Sequence, residues 1–233
     1  MDVTVRAGTR RSMTHERNQD RVVLGSTVVG DDPRVVDDEL GGPALIAVLD
    51  GLGGHRAGDV ASQLAGQRFA EAQVPENEEG LAALFNDADR LLHDTAQGDP
   101  RYAGMGTTAA MLAFGANGNE ALVANVGDST VWRLNADGLQ ELSVSDRAFG
   151  STILQCLGAS SLGVEPHIER VEVRDGDRIL LASDGLTDVI DPDTIAKVLR
   201  DGDEAVDRLI ETVEAAGTPD DVTVVVVDVH TVG

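Results

Sequence analysis

Short aliphatic runs and two stretches of helical periodicity organise the first half of the chain. Asp20 to Val29 and Pro43 to Leu49 are β-branched or aliphatic runs, and the second is almost entirely apolar, as expected of a buried strand. Between about Val60 and Leu92 apolar residues recur at helical spacing, and Val74-Pro75 divides this stretch into two amphipathic helices. The first half therefore predicts two strands followed by a helix pair.

The second half predicts more strands and a final helical segment. The predicted strands are Met105 to Phe114, Ala121 to Val126, Thr130 to Leu134, Ile168 to Val173, Arg178 to Ala182 and Val222 to Val229. Because Gly127-Asp128 and residues 174–177 are typical turn sequences, we expect an antiparallel meander followed by a strand pair. A helical segment is predicted from about Pro192.

The order of these elements indicates the fold class. Strands occur in groups and helices in pairs, which is typical of an α+β protein and not of a doubly wound sheet. We expect a four-layer αββα sandwich, with two antiparallel β-sheets flanked by helix pairs. A chain of 233 residues with 42% hydrophobic content is large enough to bury a full core. We therefore expect residues 1–233 to form a single domain.

Composition limits the partners and the compartment. The chain has 41 acidic and 18 basic residues and a net charge of -23, which should repel nucleic acid and anionic membrane surfaces. Cys156 is the only cysteine, which excludes an internal disulfide and predicts a cytoplasmic protein. It lies in an apolar stretch typical of a core position, and Leu162 stands where a cysteine phosphatase would have the arginine of Cys-x5-Arg.

Three aspartates stand at the ends of predicted strands. Asp50 and Asp184 each follow an apolar strand and precede a glycine, and Asp220 comes just before the last strand. Taken alone, each Asp-Gly pair after a strand is more typical of a turn than of a metal ligand. Carboxylates that converge from several strands repel one another unless a cation neutralises them, and an all-oxygen set favours Mg²⁺ or Mn²⁺.

Longer motifs surround these aspartates. In chain order they are Arg17-Asn-Gln-Asp20, Val48-Leu-Asp50-Gly-Leu-Gly-Gly-His55, Gly106-Thr-Thr108, Asn125-Val-Gly-Asp128-Ser129, Ala182-Ser-Asp184-Gly-Leu-Thr-Asp188 and Pro219-Asp220-Asp-Val-Thr223. Together they span nearly the whole chain and resemble, in the same order, the metal-dependent protein phosphatase family of the protein phosphatase 2C type. The resemblance implies a bacterial serine/threonine protein phosphatase.

The resemblance also implies a role for each matching residue. The implied metal ligands are Asp50, the Gly51 carbonyl, Asp184 and Asp220, which would hold two Mn²⁺ or Mg²⁺ ions, with Asp20 holding metal-bound water. Asp128 would join Asp184 around a weaker third ion, although a turn role for Asp128 is equally compatible with the sequence. A hydroxide bridging the two ions would then hydrolyse phosphoserine or phosphothreonine. Expected partners are phosphorylated proteins and a cognate kinase, and we expect a monomer.

The side that would receive the phosphate departs from the family pattern. His15 stands where many relatives have a phosphate-binding arginine, so Arg17 is predicted to take that role, with Arg11 as the other choice. The position of Arg17 is at least as compatible with an exposed arginine that only accompanies acidic residues. Leu52 replaces a histidine that animal-type enzymes use as a proposed general acid. His55 is predicted to be structural, at the start of a helix.

Other departures are smaller or concern substrate choice. Thr130 stands where an arginine is usual, and Asp221 where asparagine is usual, and both are expected to be tolerated. The segment that forms a long flap in bacterial relatives is reduced to Val144 to Gln155. We expect this short flap to alter substrate choice or binding of the third ion more than the core reaction.

Three alternatives compete with this interpretation. Gly51-Leu-Gly53-Gly54 after a strand is also found in dinucleotide-binding loops, but Arg56 replaces the last glycine and Asp50 would face the pyrophosphate. A non-catalytic phosphoprotein-binding module of the same fold would be expected to lose metal ligands, yet Asp50, Asp184 and Asp220 are all present. A dedicated switch phosphatase for an anti-sigma-type regulator is equally compatible with the sequence.

Overall fold

The computed structural model describes residues 2–30, 34–52, 57–115, 119–148, 152–159, 162–202 and 204–230. The strands are β1 (Asp2–Arg10), β2 (Asp20–Leu24), β3 (Thr27–Val29), β4 (Arg34–Gly41), β5 (Ala44–Leu52), β6 (Gly106–Thr107), β7 (Ala109–Phe114), β8 (Glu120–Val126), β9 (Thr130–Asn135), β10 (Gly138–Glu141), β11 (His167–Glu172), β12 (Arg178–Ala182) and β13 (Val222–His230). The helices are α1 (Ala57–Ala70), α2 (Glu78–Gly98), α3 (Asp184–Thr187), α4 (Pro192–Arg200) and α5 (Ala205–Ala216), with a 3-10 turn at Pro100–Tyr102.

The strands form two antiparallel sheets that face each other. The first sheet has the order β10-β9-β12-β13-β1-β4. The second has the order β11-β8-β7-β5-β2-β3, and the short β6 pairs with the end of β5. Helices α1 and α2 cover the outer face of the second sheet, whereas α3, α4 and α5 cover the first. The predicted four-layer αββα sandwich is confirmed.

Three apolar cores separate the four layers. The central core lies between the sheets and includes Ile46 and Val227. The core beneath α1 and α2 contains Phe69 and Phe85, whose ring centroids are 5.4 Å apart. Because both faces of each sheet are buried, inner strands can be apolar at every position. In β13, for example, Val225 and Val227 face the other sheet while Val224 and Val226 face the helices.

Several predicted strands and helices differ from the structure in their bounds or in their pairing. The run from Asp20 to Val29 is a hairpin of two strands, β2 and β3, with Gly25 at a φ of 56° between them. Strands β11 and β12 do not pair, because β11 joins β8 in one sheet and β12 joins β9 and β13 in the other. The helical segment from Pro192 is two helices, and β1 and β4 were not predicted.

The connection at Gly127-Asp128 is also not a hairpin. It carries the chain from β8 in the second sheet to β9 in the first, so the predicted meander ends at β8. Gly127 has a φ of 94°, a conformation that glycine adopts without strain. The crossing places Asp128 at the end of the sandwich where β5 and β12 also end.

Strand β5 and helix α1 approach each other through two glycines. A Cβ atom on Gly51 would lie 2.1 Å from the carbonyl oxygen of Gly58, and a Cβ on Gly58 would lie 2.5 Å from the carbonyl oxygen of Gly51. Both distances are far shorter than van der Waals contact. Glycine is therefore required on both sides of this contact.

Among the described residues, no helix combines the length and apolar character that a membrane span would require.

We expect Gly58→Ala to destabilise the protein, because the added methyl would force β5 and α1 apart. The expected loss in free energy of unfolding is about 1–3 kcal/mol, measured by urea denaturation. Gly98→Ala is the matched control, since nothing lies within 4 Å of a Cβ atom added there and its φ is not in the left-handed region. A Gly58→Ala protein as stable as Gly98→Ala would contradict this packing.

Candidate metal centre

Asp20 and Asp50 face each other on neighbouring strands. They are directly opposite in the pairing of β2 with β5, and both are buried. Two residues fix the backbone of Asp50: its N–H donates to Thr108 Oγ1 at 3.1 Å, and its carbonyl accepts from Thr108 N and Thr107 Oγ1, each at 2.8 Å. The second sheet thus supplies two carboxylates at one position.

The other predicted ligands come from connections at the same end of the sandwich. Asp184 follows Ser183, the N-cap of α3, so it begins a short helix and does not end a strand. Asp220 lies in the turn before β13, and Asp128 lies in the crossing between the sheets. Strands of both sheets therefore end at one acidic centre.

The charges of the other aspartates act on Asp50. Burial raises the pKa of Asp50 well above its usual value, and the negative charges of Asp20, Asp184, Asp220 and Asp128 raise it further. A carboxyl group responds in this way only when other acids are near enough to oppose its ionisation. The structure thus brings together the five aspartates that the motifs selected.

Burial and mutual repulsion also raise the pKa values of the neighbouring carboxyl groups. Burial and the charge of Asp221 raise the pKa of Asp20 to about 8, although hydrogen bonds from Thr223 and Ser183 oppose the change. Burial and the charge of Asp128 raise the pKa of Asp184 to about 6. The ionised form of this centre is therefore costly unless a cation is present.

The oxygen atoms of the centre fit a hard cation. Within the described part of the chain, the buried Oδ1 atoms of Asp20, Asp128 and Asp184 have no hydrogen-bond partner. Buried polar atoms are almost always paired, so each of these unpaired oxygens calls for a ligand. Carboxylate oxygens suit Mg²⁺ or Mn²⁺, and Gly51 directly follows Asp50 on β5.

A hydrogen-bonded chain joins the two sheets beneath the centre. Ser183 Oγ donates to Asp20 Oδ2 at 2.8 Å and accepts from the backbone N–H of Thr223 at 3.0 Å. All three residues are buried. The position of Asp20 is therefore fixed from the opposite sheet.

Asp221 has a structural role that the sequence did not reveal. Its carboxylate accepts from the backbone N–H groups of Ser12 at 2.6 Å and Gln19 at 2.7 Å, and lies 3.1 Å from Nδ1 of His15. Ligand atoms of His15, Asp220 and Asp221 lie within 4.8 Å of one another. Because Asp221 already accepts from two amides, we interpret it as the anchor of the segment between β1 and β2.

The predicted phosphate-binding residues lie at the edge of this segment. Arg17 Nη1 is 3.3 Å from Asp59 Oδ2 on α1, and the Arg17 side chain is 64% exposed. Arg11 instead donates to the backbone carbonyls of Ser12 and His15, so it holds the loop together. His55 lies outside the described residues.

The shortened flap supplies a cation that sequence reasoning missed. Arg147 contacts Asp128 and Asp184 at 2.7 Å each, and Asp188 at 2.6 Å. No motif marks Arg147, and only the tertiary fold brings it to these carboxylates.

Cys156, which the sequence placed in the core, is half-buried. Burial and the charges of Asp89 and Asp128 raise the pKa of its thiol to about 11, so it is protonated at neutral pH. A protonated thiol is a poor nucleophile.

We expect Asp221→Ala to destabilise the metal-free protein by about 2–4 kcal/mol, because two buried backbone N–H groups would lose their acceptor. Asp221→Asn keeps one acceptor oxygen and should lose less. Glu76→Ala, at an exposed position, is the control. Urea denaturation would show the order, and equal stability of Asp221→Ala and wild type would disprove the anchoring role.

The stability of the metal-free protein should fall as the pH rises from about 4 to about 8. The pKa values of Asp184 and Asp20 in the folded protein, about 6 and about 8, exceed the usual value of 3.8. The folded state therefore binds more protons than the unfolded chain in this window, and loses that advantage as the groups ionise. Thermal denaturation at several pH values measures the effect.

Added Mn²⁺ should raise the melting temperature more at high pH than at low pH, because it binds the ionised carboxylates. Asp184→Asn should weaken both the fall in stability with rising pH and the stabilisation by Mn²⁺. Glu76→Gln, which removes the same charge from an exposed position, should leave both unchanged. A melting temperature that rises with pH in the metal-free protein would contradict the repulsion described above.

Known proteins share both the sequence and the fold. The serine/threonine protein phosphatase PstP of Mycobacterium tuberculosis is 34% identical over 218 residues, which cover 83% of this chain and 42% of PstP. Protein phosphatase PhpP of Streptococcus pneumoniae is 28% identical over 218 residues, covering 81% of this chain and 87% of PhpP. The chain thus spans less than half the length of PstP.

Solved structures give the same result. The crystal structure of the PstP catalytic domain in complex with two manganese ions aligns with a TM-score of 0.81 and 29% identity, covering 99% of this chain and 100% of that one. Residues 7–223 match the family model described as Protein phosphatase 2C. The resemblance inferred from the motifs is confirmed, and this chain belongs to the protein phosphatase 2C family.

Proposed function

We propose that this protein is a divalent-metal-dependent phosphatase that hydrolyses phosphoserine and phosphothreonine in other proteins. The observation that carries this proposal is a group of five aspartates, of which Asp20, Asp50 and Asp128 are buried and Asp20, Asp128 and Asp184 each have an unpaired buried oxygen. Such a group needs bound cations to ionise, and its family relatives are named serine/threonine protein phosphatases.

The residues of the centre have distinct roles in this proposal. Asp50, the carbonyl of Gly51, Asp184 and Asp220 would hold two Mn²⁺ or Mg²⁺ ions. Two divalent ions bound there would lower the pKa of water and offset the negative charge on the phosphoryl oxygens. Asp20, held by Ser183 from the opposite sheet, orients water at the centre.

Arg17 binds the phosphate of the substrate in this proposal. Its side chain is exposed beside the centre, and its contact with Asp59, at 3.3 Å, is long for a charged pair. Arg11 is less suitable because its donors already hold the carbonyls of Ser12 and His15. His15, which replaces the usual arginine, lies 3.1 Å from Asp221 and helps anchor the loop.

The setting of the reaction follows from the same features. The net charge of -23 disfavours nucleic acid and anionic membranes as partners, so we expect phosphorylated proteins and a cognate serine/threonine kinase. A single cysteine fits a reducing compartment, so we expect the activity in the cytoplasm. The two sheets and their helices make one catalytic domain, acting as a monomer.

We expect hydrolysis of p-nitrophenyl phosphate and of a phosphothreonine peptide that requires Mn²⁺ and stops with a chelator. Asp184→Asn should lower kcat/KM by more than about 100-fold, because it removes a charged ligand of the centre. Glu76→Gln should match the wild type. Circular dichroism would verify that each variant is folded.

Other outcomes would separate the alternatives. Full activity in a chelator, or in Asp184→Asn, would exclude the metal-dependent mechanism. Uptake of Mn²⁺ in calorimetry without turnover of any phosphorylated substrate would favour the non-catalytic binding module. Preference for a phosphotyrosine peptide over the phosphothreonine peptide would contradict the proposed substrate class.

A further inference from the structure

One arginine joins three carboxylates at the edge of the centre. Arg147 Nη2 lies 2.7 Å from Asp128 Oδ2 and 2.7 Å from Asp184 Oδ2, while Nη1 lies 2.6 Å from Asp188 Oδ1. The Nε–H also donates to Asp128 Oδ2 at 2.8 Å. The side chain is only 23% exposed, so these contacts are partly shielded from water.

The backbone that carries Arg147 is held in place by its neighbour, Asp146. The N–H of Asp146 donates to the carbonyl of Gly127 at 2.9 Å, and the N–H of Gly127 donates to Asp146 Oδ2 at 2.9 Å. Asp146 Oδ1 also contacts His167 Nε2 at 2.9 Å and accepts from Gln155 at 3.0 Å. Asp146 is therefore a buried anchor with partners on three segments.

The base of the shortened flap provides further support. The N–H of Leu154 donates to the carbonyl of Asp146 at 2.7 Å, and Arg147 forms an isolated β-bridge with Ile153. Because Gly127 directly precedes Asp128, the pairing of Gly127 with Asp146 sets Arg147 and Asp128 side by side. The short flap thus delivers a guanidinium to a fixed position.

That position is where a third divalent ion would bind. Asp128 and Asp184 are the two residues that would share this ion, and Arg147 Nη2 already contacts the Oδ2 atom of each. We infer that Arg147 is a built-in cation in the place of a third metal ion, so that this chain binds two divalent ions instead of three. This inference rests on the proposed two-ion function.

Arg147 is better suited to this role than to binding the phosphate of a substrate. A guanidinium has five N–H donors, and hydrogen bonds to Asp128, Asp184 and Asp188 use three of them, one from each nitrogen. Turning toward a phosphate would leave three carboxylates uncompensated beside the centre. Arg17, in contrast, is exposed and makes one long contact.

The number of Mn²⁺ ions bound per chain tests the inference directly, by calorimetry and by electron paramagnetic resonance of free Mn²⁺. We expect two ions in the wild type and a third, weaker site in Arg147→Ala, where Asp128, Asp184 and Asp188 lose their cation. Arg174→Ala is the matched control, because it removes an equal charge from an exposed arginine that pairs with Glu172. It should bind two ions.

Three ions in the wild type, or two in a folded Arg147→Ala protein, would overturn the inference and leave the proposed function intact. If Arg147→Ala does not fold, Arg147→Gln removes the charge while retaining more of the side chain. It too should bind three Mn²⁺ ions per chain, and a folded Arg147→Gln protein that binds two would overturn the inference. No Mn²⁺ uptake by the wild type would instead overturn the proposed function, and this inference with it.

Discussion

Repulsion among buried carboxylates is the constraint on which the rest of the structure depends. Asp50 is buried and feels the charges of four other aspartates, so the folded chain holds a site that resists its own ionisation. An arrangement of this kind persists only when packing elsewhere compensates for it. The three apolar cores of the sandwich supply that packing, and they lie between layers that meet the acidic centre only at the ends of strands.

The centre needs both sheets, which couples its geometry to the packing of the sandwich. Asp20 and Asp50 lie opposite each other in one sheet, whereas Asp184 and Asp220 flank strands of the other. Ser183 crosses the interface to hold Asp20. A small shift of one sheet against the other would therefore move Asp20 and Asp50 relative to Asp184 and Asp220, and close packing in the central core opposes that shift.

What the sequence predicted depended on whether the signal was local. The apolar runs of β5 and β13 and the helical spacing of α1 and α2 are properties of neighbouring residues, and these elements were predicted correctly. Strand pairing is decided at long range, so Gly127-Asp128 was mistaken for a hairpin although it crosses between sheets. Motifs selected the five aspartates, but Asp221 and Arg147 act through distant backbone and side-chain partners that no local pattern specifies.

A bound metal ion and the guanidinium of Arg147 would neutralise the aspartates in different ways. A metal ion can dissociate, whereas Arg147 is part of the chain. Burial opposes its charge, but the hydrogen bond with Asp188 and the charges of Asp128 and Asp184 raise its pKa above the usual value, so its charge is permanent. Asp128 and Asp184 are therefore partly neutralised even without metal. The pKa of Asp20, which Arg147 does not contact, is raised to about 8, whereas that of Asp184, which Arg147 contacts, is raised to about 6. In the proposed enzyme, Arg147 would therefore reduce the need for divalent ions at this centre without removing it.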